Sequence, residues 1–419
     1  MIVIRGGEVL TSDGWSRADL SIEGGIVSTI GTGLSGGVEL DASGCLVGPG
    51  FVDMHTHLRE PGQSWKEDIT SASLAAAAGG FTAVTAMPNT QPPMDTVKVI
   101  ESVIARGEEV GLVELVPASA LTKDRSGAEL VDIEELYAGG VRIFTDDGDA
   151  LVDPALMRAA LEIIATLPGA FVAQHAEDPA MTVEGHMHEG RISRELGVGG
   201  LPTEAETAIV SRDLELVAST GARYHCQHVS AKMTVESIRR AKEAGSAVTA
   251  EVTPHHLSFD ETDVRELSTN FKMYPPLRSP EDREALVAAI ADGTIDVVAT
   301  DHAPHSDDEK AVSFDSAPRG VIGLETAAAA TWEALGDRDR LFDVMSTRPA
   351  TILGLEAQGQ RLAPGSDANI VVFDPSERWV PASFKSKSAN SPYRGREMTG
   401  RVVATVHRGQ VTHHSGGRS

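Results

Sequence analysis

Two histidines, His55 and His57, follow the short apolar run that begins at Phe51 in GFVDMHTHLR. Phe51 and Val52 suit a buried strand, in which side chains alternate between the two faces with a period of two. Residues 55 and 57 therefore project to the same side, and neutral imidazole is the commonest ligand of transition metals. The spacing predicts a pair of metal ligands at a strand end, although two ordinary polar histidines would give the same pattern.

Side chains of similar chemistry follow other strand-like segments of the chain. They come after the fourth, fifth, sixth and eighth segments and are Asp146, Asp147, His175, His228 and Asp301. In a barrel of parallel strands, functional residues gather at the carboxyl ends of the strands. Histidine and carboxylate ligands in this number predict two Zn²⁺ or similar ions that share a ligand and promote hydrolysis at a carbon centre. A structural zinc site is the alternative, but it needs only four ligands and usually uses cysteine.

The elements that must position these residues alternate regularly. Eight strand-like segments occupy residues 46–54, 81–86, 111–116, 141–145, 170–175, 222–228, 247–252 and 295–300. Asp153-Pro154 and Ser279-Pro280 begin helical stretches, and Thr203 with Glu206 predicts a capping box before a helix that ends at Gly221. The alternation favours a (β/α)8 barrel of the TIM type, in the α/β class, over an open sheet with the same pattern.

Short apolar runs broken by glycine occupy both ends of the chain and read as small strands joined by tight turns. We predict that residues 1–48 and 361–419 pair into one small β-sandwich domain, and that residues 49–360 form a metal-dependent hydrolase barrel.

Composition excludes several classes of partner. The 419 residues carry 36 Lys and Arg against 61 Asp and Glu, a net charge of −25 that opposes phosphate backbones and anionic membrane surfaces. No nucleic acid or membrane partner is therefore expected, and an anionic substrate would need local cations, for which Arg59 is a candidate. Cys45 and Cys226 have no metal or redox spacing, and the first residues do not form a signal peptide, so we predict a cytoplasmic protein.

Five motifs together resemble the dihydroorotases of the amidohydrolase superfamily, in their longer bacterial type. These motifs are GFVDMHTHLREPG, AMPNTQP (residues 86–92), FTDDG (144–148), TPHHL (253–257) and ATDHAPH (299–305). The resemblance covers nearly the whole chain, including the split β-domain. It implies the reversible opening of L-dihydroorotate to N-carbamoyl-L-aspartate in de novo pyrimidine biosynthesis.

The resemblance also implies a role for each site residue. His55, His57 and Asp301 match ligands of one zinc ion, His175 and His228 match ligands of a second, and Asp301 also matches the general acid and base. The positions that match substrate contacts are His57, Arg59, Asn89, Tyr274, His305, Arg319 and Gly320. Of these, Arg59, Asn89 and His305 match the group that holds the substrate carboxylate.

Many relatives bridge the two metals with a carbamate formed on a lysine of the fourth strand. This chain has no lysine between Lys123 and Lys232, so an acid of FTDDG must take that place. We predict that Asp147 is the bridging ligand and that Asp146 is a supporting or capping acid.

Two residues depart from the pattern of the family. Tyr274 stands where most dihydroorotases carry an asparagine that binds the pyrimidine ring, and Arg319 stands at a position that is usually apolar. We expect Arg319 and Gly320 to act mainly through backbone groups.

The remaining histidines of interest are predicted not to be ligands. His255 and His256 are predicted to be structural residues, His186 and His188 to be loop residues, and His225 to point away from His228.

Two other functions remain open from the sequence. A hydantoinase or allantoinase would act on a related cyclic ureide, but Arg59 in the pattern HxHxR favours a substrate that bears a carboxylate. An inactive scaffold homologue would be expected to lack ligands, and here every ligand position is filled. The resemblance leaves open a homo-oligomer and a complex with another enzyme of pyrimidine synthesis.

Overall fold

The computed structural model describes residues 1–416, and the chain begins with strands of a terminal sheet. These strands are β1 (Ile2–Thr11), β2 (Gly14–Glu23), β3 (Ile26–Gly31), β4 (Val38–Asp41) and β5 (Leu46–Pro49). β1 pairs antiparallel with β2 and parallel with β4 and β5.

Eight parallel strands then form a barrel. In chain order the next strands are β6 (Phe51–Thr56), β7 (Phe81–Ala86), β8 (Glu114–Ser119), β9 (Ile143–Phe144), β10 (Phe171–Gln174), β11 (Met187–His188), β12 (Gly200–Leu201), β13 (Tyr224–Cys226), β14 (Val248–Val252) and β15 (Val297–Val298). β11 and β12 pair only with each other, and the remaining eight are hydrogen-bonded in chain order from β6 to β15. A bridge between Thr56 and His302 brings the two ends of this sheet together. The predicted fold class is confirmed.

Helices connect the barrel strands and pack outside them. They are α1 (Ile69–Ala78), α2 (Val97–Val110), α3 (Ile133–Ala138), α4 (Pro154–Ile164), α5 (Arg191–Leu196), α6 (Glu204–Thr220), α7 (Lys232–Glu243), α8 (Pro254–Ser258), α9 (Pro280–Asp292), α10 (Asp307–Lys310), α11 (Ala327–Leu335), α12 (Arg338–Phe342) and α13 (Arg348–Leu353). The predicted start of α4 is confirmed, because the Asp153 side chain accepts hydrogen bonds from two backbone N–H groups of its first turn. Ser279 and Asp282 form a capping box at the start of α9.

Two apolar layers hold the barrel together. Small and branched side chains such as Val52, Ala83, Ile143 and Val297 fill its interior. A larger core, with Phe81 among its members, lies between the strands and the surrounding helices. Strands buried on both faces are expected in a parallel barrel, and β6, β7 and β10 are buried along their whole length.

The end of the chain returns to the terminal sheet through β16 (Ile370–Trp379), β17 (Met398–His407) and β18 (Gln410–His414). The order of strands across this sheet is β18-β17-β16-β5-β1-β2-β3, so both ends of the chain meet where β16 pairs with β5. Ile4, Leu20, Ile370 and Val406 belong to the separate apolar core of this sheet. The exact division into residues 1–48 with 361–419 and 49–360 stays a prediction, and residues 417–419 of it lie outside the described part of the chain.

Several strand boundaries differ from those predicted, and at two of them a glycine accounts for the difference. Residues 46–54 were expected as one strand, but the chain leaves the terminal sheet after β5 and enters the barrel at β6, with the N–H of Gly50 donating to Asn369 O at 2.9 Å. A Cβ at residue 50 would lie 2.3 Å from Thr82, which requires glycine at this crossing. The third barrel strand begins at Glu114 because Gly111 caps α2 in the left-handed conformation, with φ 65°.

The predicted capping box at α6 was wrong. Thr203 makes no side-chain cap hydrogen bond. The Glu206 carboxylate instead accepts from Ala231 N at 3.1 Å and from Arg278 Nη2 at 3.4 Å. A buried cation close in space therefore binds the acid that the sequence pattern assigned to the helix end.

Among residues 1–416, no helix combines the length and the apolar composition that a membrane crossing requires.

Candidate active site

The side chains predicted at the strand ends meet at one end of the barrel. His55 lies in β6 and His57 just after it, Asp147 follows β9, His175 follows β10, His228 follows β13 and Asp301 follows β15. All six residues are buried. The barrel therefore brings together six residues that are spread over almost 250 residues of sequence, because the carboxyl ends of its parallel strands all lie at one end of the barrel.

One group of donor atoms surrounds His55 and His57. His55 Nε2 lies 3.3 Å from Asp147 Oδ1 and 3.5 Å from Asp301 Oδ1. His57 Nε2 lies 3.4 Å from Asp147 Oδ2 and 3.0 Å from Asp301 Oδ1. Ligand atoms held about 2.1 Å from a tetrahedral ion stand about 3.4 Å apart, so these separations fit a metal between them.

A second group shares Asp147 with the first. Asp147 Oδ1 lies 3.5 Å from His175 Nδ1 and 3.6 Å from His228 Nε2. The two imidazole nitrogens are themselves 2.8 Å apart. Asp147 therefore belongs to both groups of side chains that are able to hold a metal ion.

The hydrogen bonding of the cluster supports metal binding. His55 Nε2 and both carboxylate oxygens of Asp147 are buried without a hydrogen-bond partner. Polar atoms that are buried and unpaired are costly, and a cation among them would satisfy all three at once. The donor set of imidazole and carboxylate is one that divalent transition metals accept.

The electrostatics keep the acids in the form that binds metal. Burial disfavours the charged carboxylate, but the neighbouring histidines, led by His55, hold the pKa of Asp147 well below its usual range. The pKa of Asp301 is also lowered despite its burial, mainly by His55 and His57. Both acids are therefore ionised at neutral pH, as carboxylate ligands must be.

Glu251 in β14 is a residue of the site that the sequence analysis missed. Its Oε1 lies 2.6 Å from His55 Nδ1 and accepts the backbone N–H of His228 at 3.1 Å. A carboxylate behind a ligating imidazole fixes the tautomer and the orientation of the ring. The signal available in the sequence was one acid inside the otherwise apolar strand VTAEV.

The expectation that His225 points away from His228 was wrong. His225 Nε2 lies 3.1 Å from Glu251 Oε2, and its ring packs against Phe171 in the barrel. His228 has a positive φ of 30°, which breaks the alternation of strand side chains and returns its ring to the inner side. Arg59 and Asp301 also have positive φ, 60° and 45°, so the backbone is strained at three site residues.

Asp146 lies next to the cluster but binds the backbone of a neighbouring loop. Its Oδ1 accepts from Leu121 N at 2.9 Å and from Thr122 N at 3.0 Å, and its Oδ2 accepts from the Thr122 hydroxyl. The structure thus gives the two acids of FTDDG different surroundings, with Asp147 in the cluster and Asp146 holding residues 121–122.

A cavity of about 700 Å³ opens above the cluster. Its wall includes all the residues predicted to contact substrate: His57, Arg59, Asn89, Tyr274, His305, Arg319 and Gly320. The buried Arg59 donates from Nε to Pro304 O at 3.2 Å. Burial lowers the pKa of Arg59 to about 10, so the guanidinium remains a cation. Asn89 Oδ1 lies 2.8 Å from His57 Nδ1 and so also orients that ring.

The two residues that depart from the family pattern contact each other. The Arg319 guanidinium carbon lies 4.2 Å from the centre of the Tyr274 ring, and that ring lies 4.8 Å from the ring of His175. The Tyr274 hydroxyl donates to Thr182 Oγ at 3.0 Å, and Arg319 Nη2 donates to Gly185 O at 2.7 Å. Both side chains therefore tie the loop after β10 to the cavity wall.

The backbone at residues 319 and 320 is already engaged. Arg319 O lies 3.0 Å from His305 Nε2, and Gly320 N donates to Lys272 O at 2.9 Å. The backbone carbonyl of Arg319 therefore helps to fix His305. The side chain of Arg319 makes contacts that were not expected from the sequence.

The other histidines are placed as follows. His256 Nδ1 lies 2.8 Å from Thr253 Oγ and its Nε2 lies 3.2 Å from Pro275 O, so it supports the turn next to Tyr274. His186 lies 3.4 Å from Lys272 Nζ. His188 was predicted to be a loop residue but lies in the short strand β11. It lies outside the two candidate metal groups, as does the buried His255.

A buried ion pair beside the cavity was also missed by sequence reasoning. Glu177 lines the cavity, and its Oε1 accepts from Arg278 Nη2 at 2.8 Å. The two residues are 101 positions apart, so their pairing leaves no local pattern in the sequence.

Comparison with known proteins points to one family. The family described as "Dihydro-orotase-like" matches residues 44–234. The dihydroorotase of Mycobacterium tuberculosis is 44% identical over 413 residues, which cover 96% of each chain. The dihydroorotase of Streptomyces coelicolor is 42% identical over 421 residues, which cover 98% of this chain and 97% of the relative.

Solved structures with the same fold include hydantoinases. The L-hydantoinase (dihydropyrimidinase) from Arthrobacter aurescens has a TM-score of 0.86 at 24% identity, covering 100% of this chain and 97% of its own. The D-hydantoinase from Bacillus sp. AR9 has a TM-score of 0.82 at 26% identity, covering 99% of this chain and 95% of its own. The likeness to the first is one of fold.

Proposed function

The chain belongs to the dihydroorotase family, and from that membership and the site geometry we propose that it catalyses the reversible hydrolysis of L-dihydroorotate to N-carbamoyl-L-aspartate in pyrimidine biosynthesis. The observation that carries the choice of substrate is the buried Arg59, a cation on the cavity wall beside a cluster of imidazoles and carboxylates. The substrate is a cyclic amide with a carboxylate, and these two parts match the cluster and the cation respectively.

We propose Zn²⁺ as the metal, with two ions per chain. His55, His57 and Asp301 would hold one ion, His175 and His228 the other, and Asp147 would bridge them. When bound, such ions lower the pKa of water and polarise a carbonyl group. The unpaired, buried oxygens of Asp147 between the two groups support the sharing of this ligand.

Asp301 is the proposed general base and general acid. It is buried and ionised beside the cavity, and its carboxylate lies 3.0 Å from His57 Nε2. It would take a proton from the attacking water as the amide carbon gains a hydroxyl group. It would then give that proton to the ring nitrogen as the C–N bond breaks, which leaves a carbamoyl NH₂ group and a carboxylic acid that releases its remaining proton to water.

The substrate carboxylate is assigned to Arg59, with Asn89 and His305 beside it. The planar guanidinium binds a carboxylate with two parallel hydrogen bonds, and burial strengthens them. Because Arg59 Nε is already used by Pro304 O, its two terminal nitrogens are the donors left for the substrate.

Replacement of Arg59 by alanine is expected to raise KM for dihydroorotate about tenfold to a hundredfold, since a lost charge-assisted contact costs about 1.5–3 kcal/mol. Bound metal should be unchanged, because Arg59 is in neither candidate metal group. Steady-state kinetics with metal analysis measures both quantities. Arg59→Lys is the matched control, because lysine keeps the charge but lacks the planar guanidinium. Its KM should fall between those of the wild type and Arg59→Ala. Unchanged kinetics in both variants would refute the assignment.

The tyrosine at the cavity wall raises the second candidate function, hydrolysis of another cyclic ureide. Tyr274 stands where the family pattern has an asparagine, and the solved relatives by fold include hydantoinases. Turnover of dihydroorotate, hydantoin and allantoin by the same preparation separates the candidates. We expect dihydroorotate to be the preferred substrate, and negligible turnover of it beside rapid turnover of hydantoin or allantoin would favour the second.

A Tyr274→Asn variant is expected to change kcat/KM for dihydroorotate by no more than about tenfold, equivalent to about 1.4 kcal/mol. The Tyr274 hydroxyl donates to Thr182 and the Tyr274 ring packs against His175, so we expect Tyr274 to shape the cavity wall and not to donate a hydrogen bond to the substrate. Tyr274→Phe, which keeps the ring alone, is the control. An inactive wild type that gains dihydroorotase activity through Tyr274→Asn would show that tyrosine marks another native substrate.

The inactive scaffold is the least supported alternative. Every proposed ligand is present, and each of the four histidines has a ring nitrogen 3.0–3.6 Å from a carboxylate oxygen of Asp147 or Asp301. Assembly as a homo-oligomer or with another enzyme of the pathway stays a prediction drawn from the family. A cytoplasmic location stays a prediction drawn from the cysteines and the first residues of the sequence.

A further inference from the structure

The segment between β16 and β17, residues 380–397, belongs by sequence to the terminal sheet but crosses to the face of the barrel that carries the cavity. Ser388 Oγ donates to Lys66 O at 2.8 Å, and Lys387 N donates to Glu67 Oε1 at 3.1 Å. Lys385 N donates to Glu325 Oε1 at 2.8 Å. This segment, which we call the crossing segment, is thus bound to loops that follow the first and last strands of the barrel.

Asn390 of the crossing segment joins two loops that both follow β15, at residues 303–305 and 320, through one side chain. Its Oδ1 accepts the backbone N–H of His305 at 3.2 Å. Its Nδ2 donates to Ala303 O and to Gly320 O, both at 3.1 Å. Asn390 is 2% exposed, and its own carbonyl accepts from Ile322 N at 3.0 Å. Both ends of the amide are therefore satisfied by backbone groups.

The backbone that Asn390 holds is part of the cavity wall. Ala303, His305 and Gly320 all line the cavity. The two loops approach so closely that a Cβ at Gly320 would lie 2.7 Å from the Ala303 Cβ and 3.2 Å from His305 Nε2. Gly320 also has φ 133°, a conformation that favours glycine. A small displacement of either loop would therefore move His305 relative to the substrate.

We propose that Asn390 is a positioning residue for substrate binding, which sets the separation of the loops at 303–305 and 320 and thereby the place of His305. This inference rests on the proposed function, because it assigns His305 to the substrate carboxylate. The hydrogen bonds of Asn390 reach loop backbone and not the side chains of the metal cluster. The crossing segment thus reaches the cavity wall through the Asn390 amide.

The test uses the full-length, metal-loaded enzyme with Asn390→Ala and Asn390→Asp. Alanine removes all three side-chain bonds, whereas aspartate keeps the shape and the acceptor but replaces the donor with an oxygen that faces two carbonyls. We expect KM for dihydroorotate to rise about tenfold in both variants, because the loops lose the net stabilisation of one to two hydrogen bonds and no longer hold His305 in place. We expect kcat to change less than KM, and metal content to stay that of the wild type.

Tyr393→Phe is the matched control. Tyr393 lies in the same crossing segment, is buried, and donates to Ser258 Oγ at 3.0 Å, away from the cavity wall. A role in stability alone would lower the melting temperature in the control and in the Asn390 variants and leave KM unchanged in all of them.

Three results would overturn the inference: an unchanged KM in both Asn390 variants, an equal rise of KM in Tyr393→Phe, or failure of every Asn390 variant to fold. An active wild type with unaffected Asn390 variants would refute this inference alone. A wild type without dihydroorotase activity would refute the proposed function and this inference together.

Discussion

An Asp147→Ala variant is expected to lose most of its bound metal and nearly all of its hydrolytic activity. Asp147 is shared by both candidate metal groups and contributes both of its oxygens to them. Metal stabilisation of the transition state amounts to several kcal/mol, so its loss should lower kcat/KM by about a thousandfold or more. Metal analysis of the purified variant, together with a dihydroorotate assay, measures both effects.

The neighbouring acid provides the control for this experiment. Asp146 accepts hydrogen bonds from Leu121 and Thr122, so Asp146→Asn should reduce the free energy of unfolding by about 1–2 kcal/mol and retain the metal. Loss of metal from the Asp146 variant with retention in the Asp147 variant would show that the wrong acid was chosen. Arg142, which directly precedes β9, donates to Tyr137 O and Val141 O and cannot replace either acid.

An Asp301→Asn variant is expected to lower kcat about a thousandfold, within the range of a lost general acid and base. Asparagine preserves the shape of the side chain but cannot accept the proton of the attacking water. KM should change much less than kcat, because Arg59 and His305 remain in place to bind the carboxylate. Pre-steady-state and steady-state kinetics at saturating dihydroorotate measure the chemical step.

Asp307→Asn serves as the control for Asp301, since Asp307 lies in the next helix, α10, and is exposed. It should leave kcat unchanged. An Asp301→Asn enzyme with kcat within about threefold of the wild type would assign the proton transfer to another group.

The positions of the cluster follow from local patterns in the sequence. His55, His175, His228 and Asp301 each come at or just after an apolar segment, and the rule that parallel strands end at one rim of a barrel brings them together. Identification of the barrel was therefore enough to predict that these four side chains meet. The distances between their donor atoms depend on the backbone, as the positive φ of His228 and Asp301 shows.

The residues that sequence analysis missed act through partners distant in the chain. Glu251 supports His55 from 196 residues away, and Asn390 holds His305 from 85 residues away. Glu206 matched a local capping pattern, but Arg278, 72 residues further on, binds it in the fold. Local sequence patterns predict hydrogen bonds within one turn of the chain, whereas these contacts depend on how loops from different strands pack.

The proposed metal-dependent hydrolysis of dihydroorotate can be tested with one preparation of the wild-type protein. Metal content and dihydroorotate turnover are measured on the purified protein, again after removal of metal with a chelator, and again after Zn²⁺ is restored. We predict about two divalent ions per chain, loss of turnover when they are removed, and its return with the metal. Turnover of dihydroorotate that persists in the metal-free protein, or a metal-loaded protein that does not hydrolyse dihydroorotate, would contradict the proposed function.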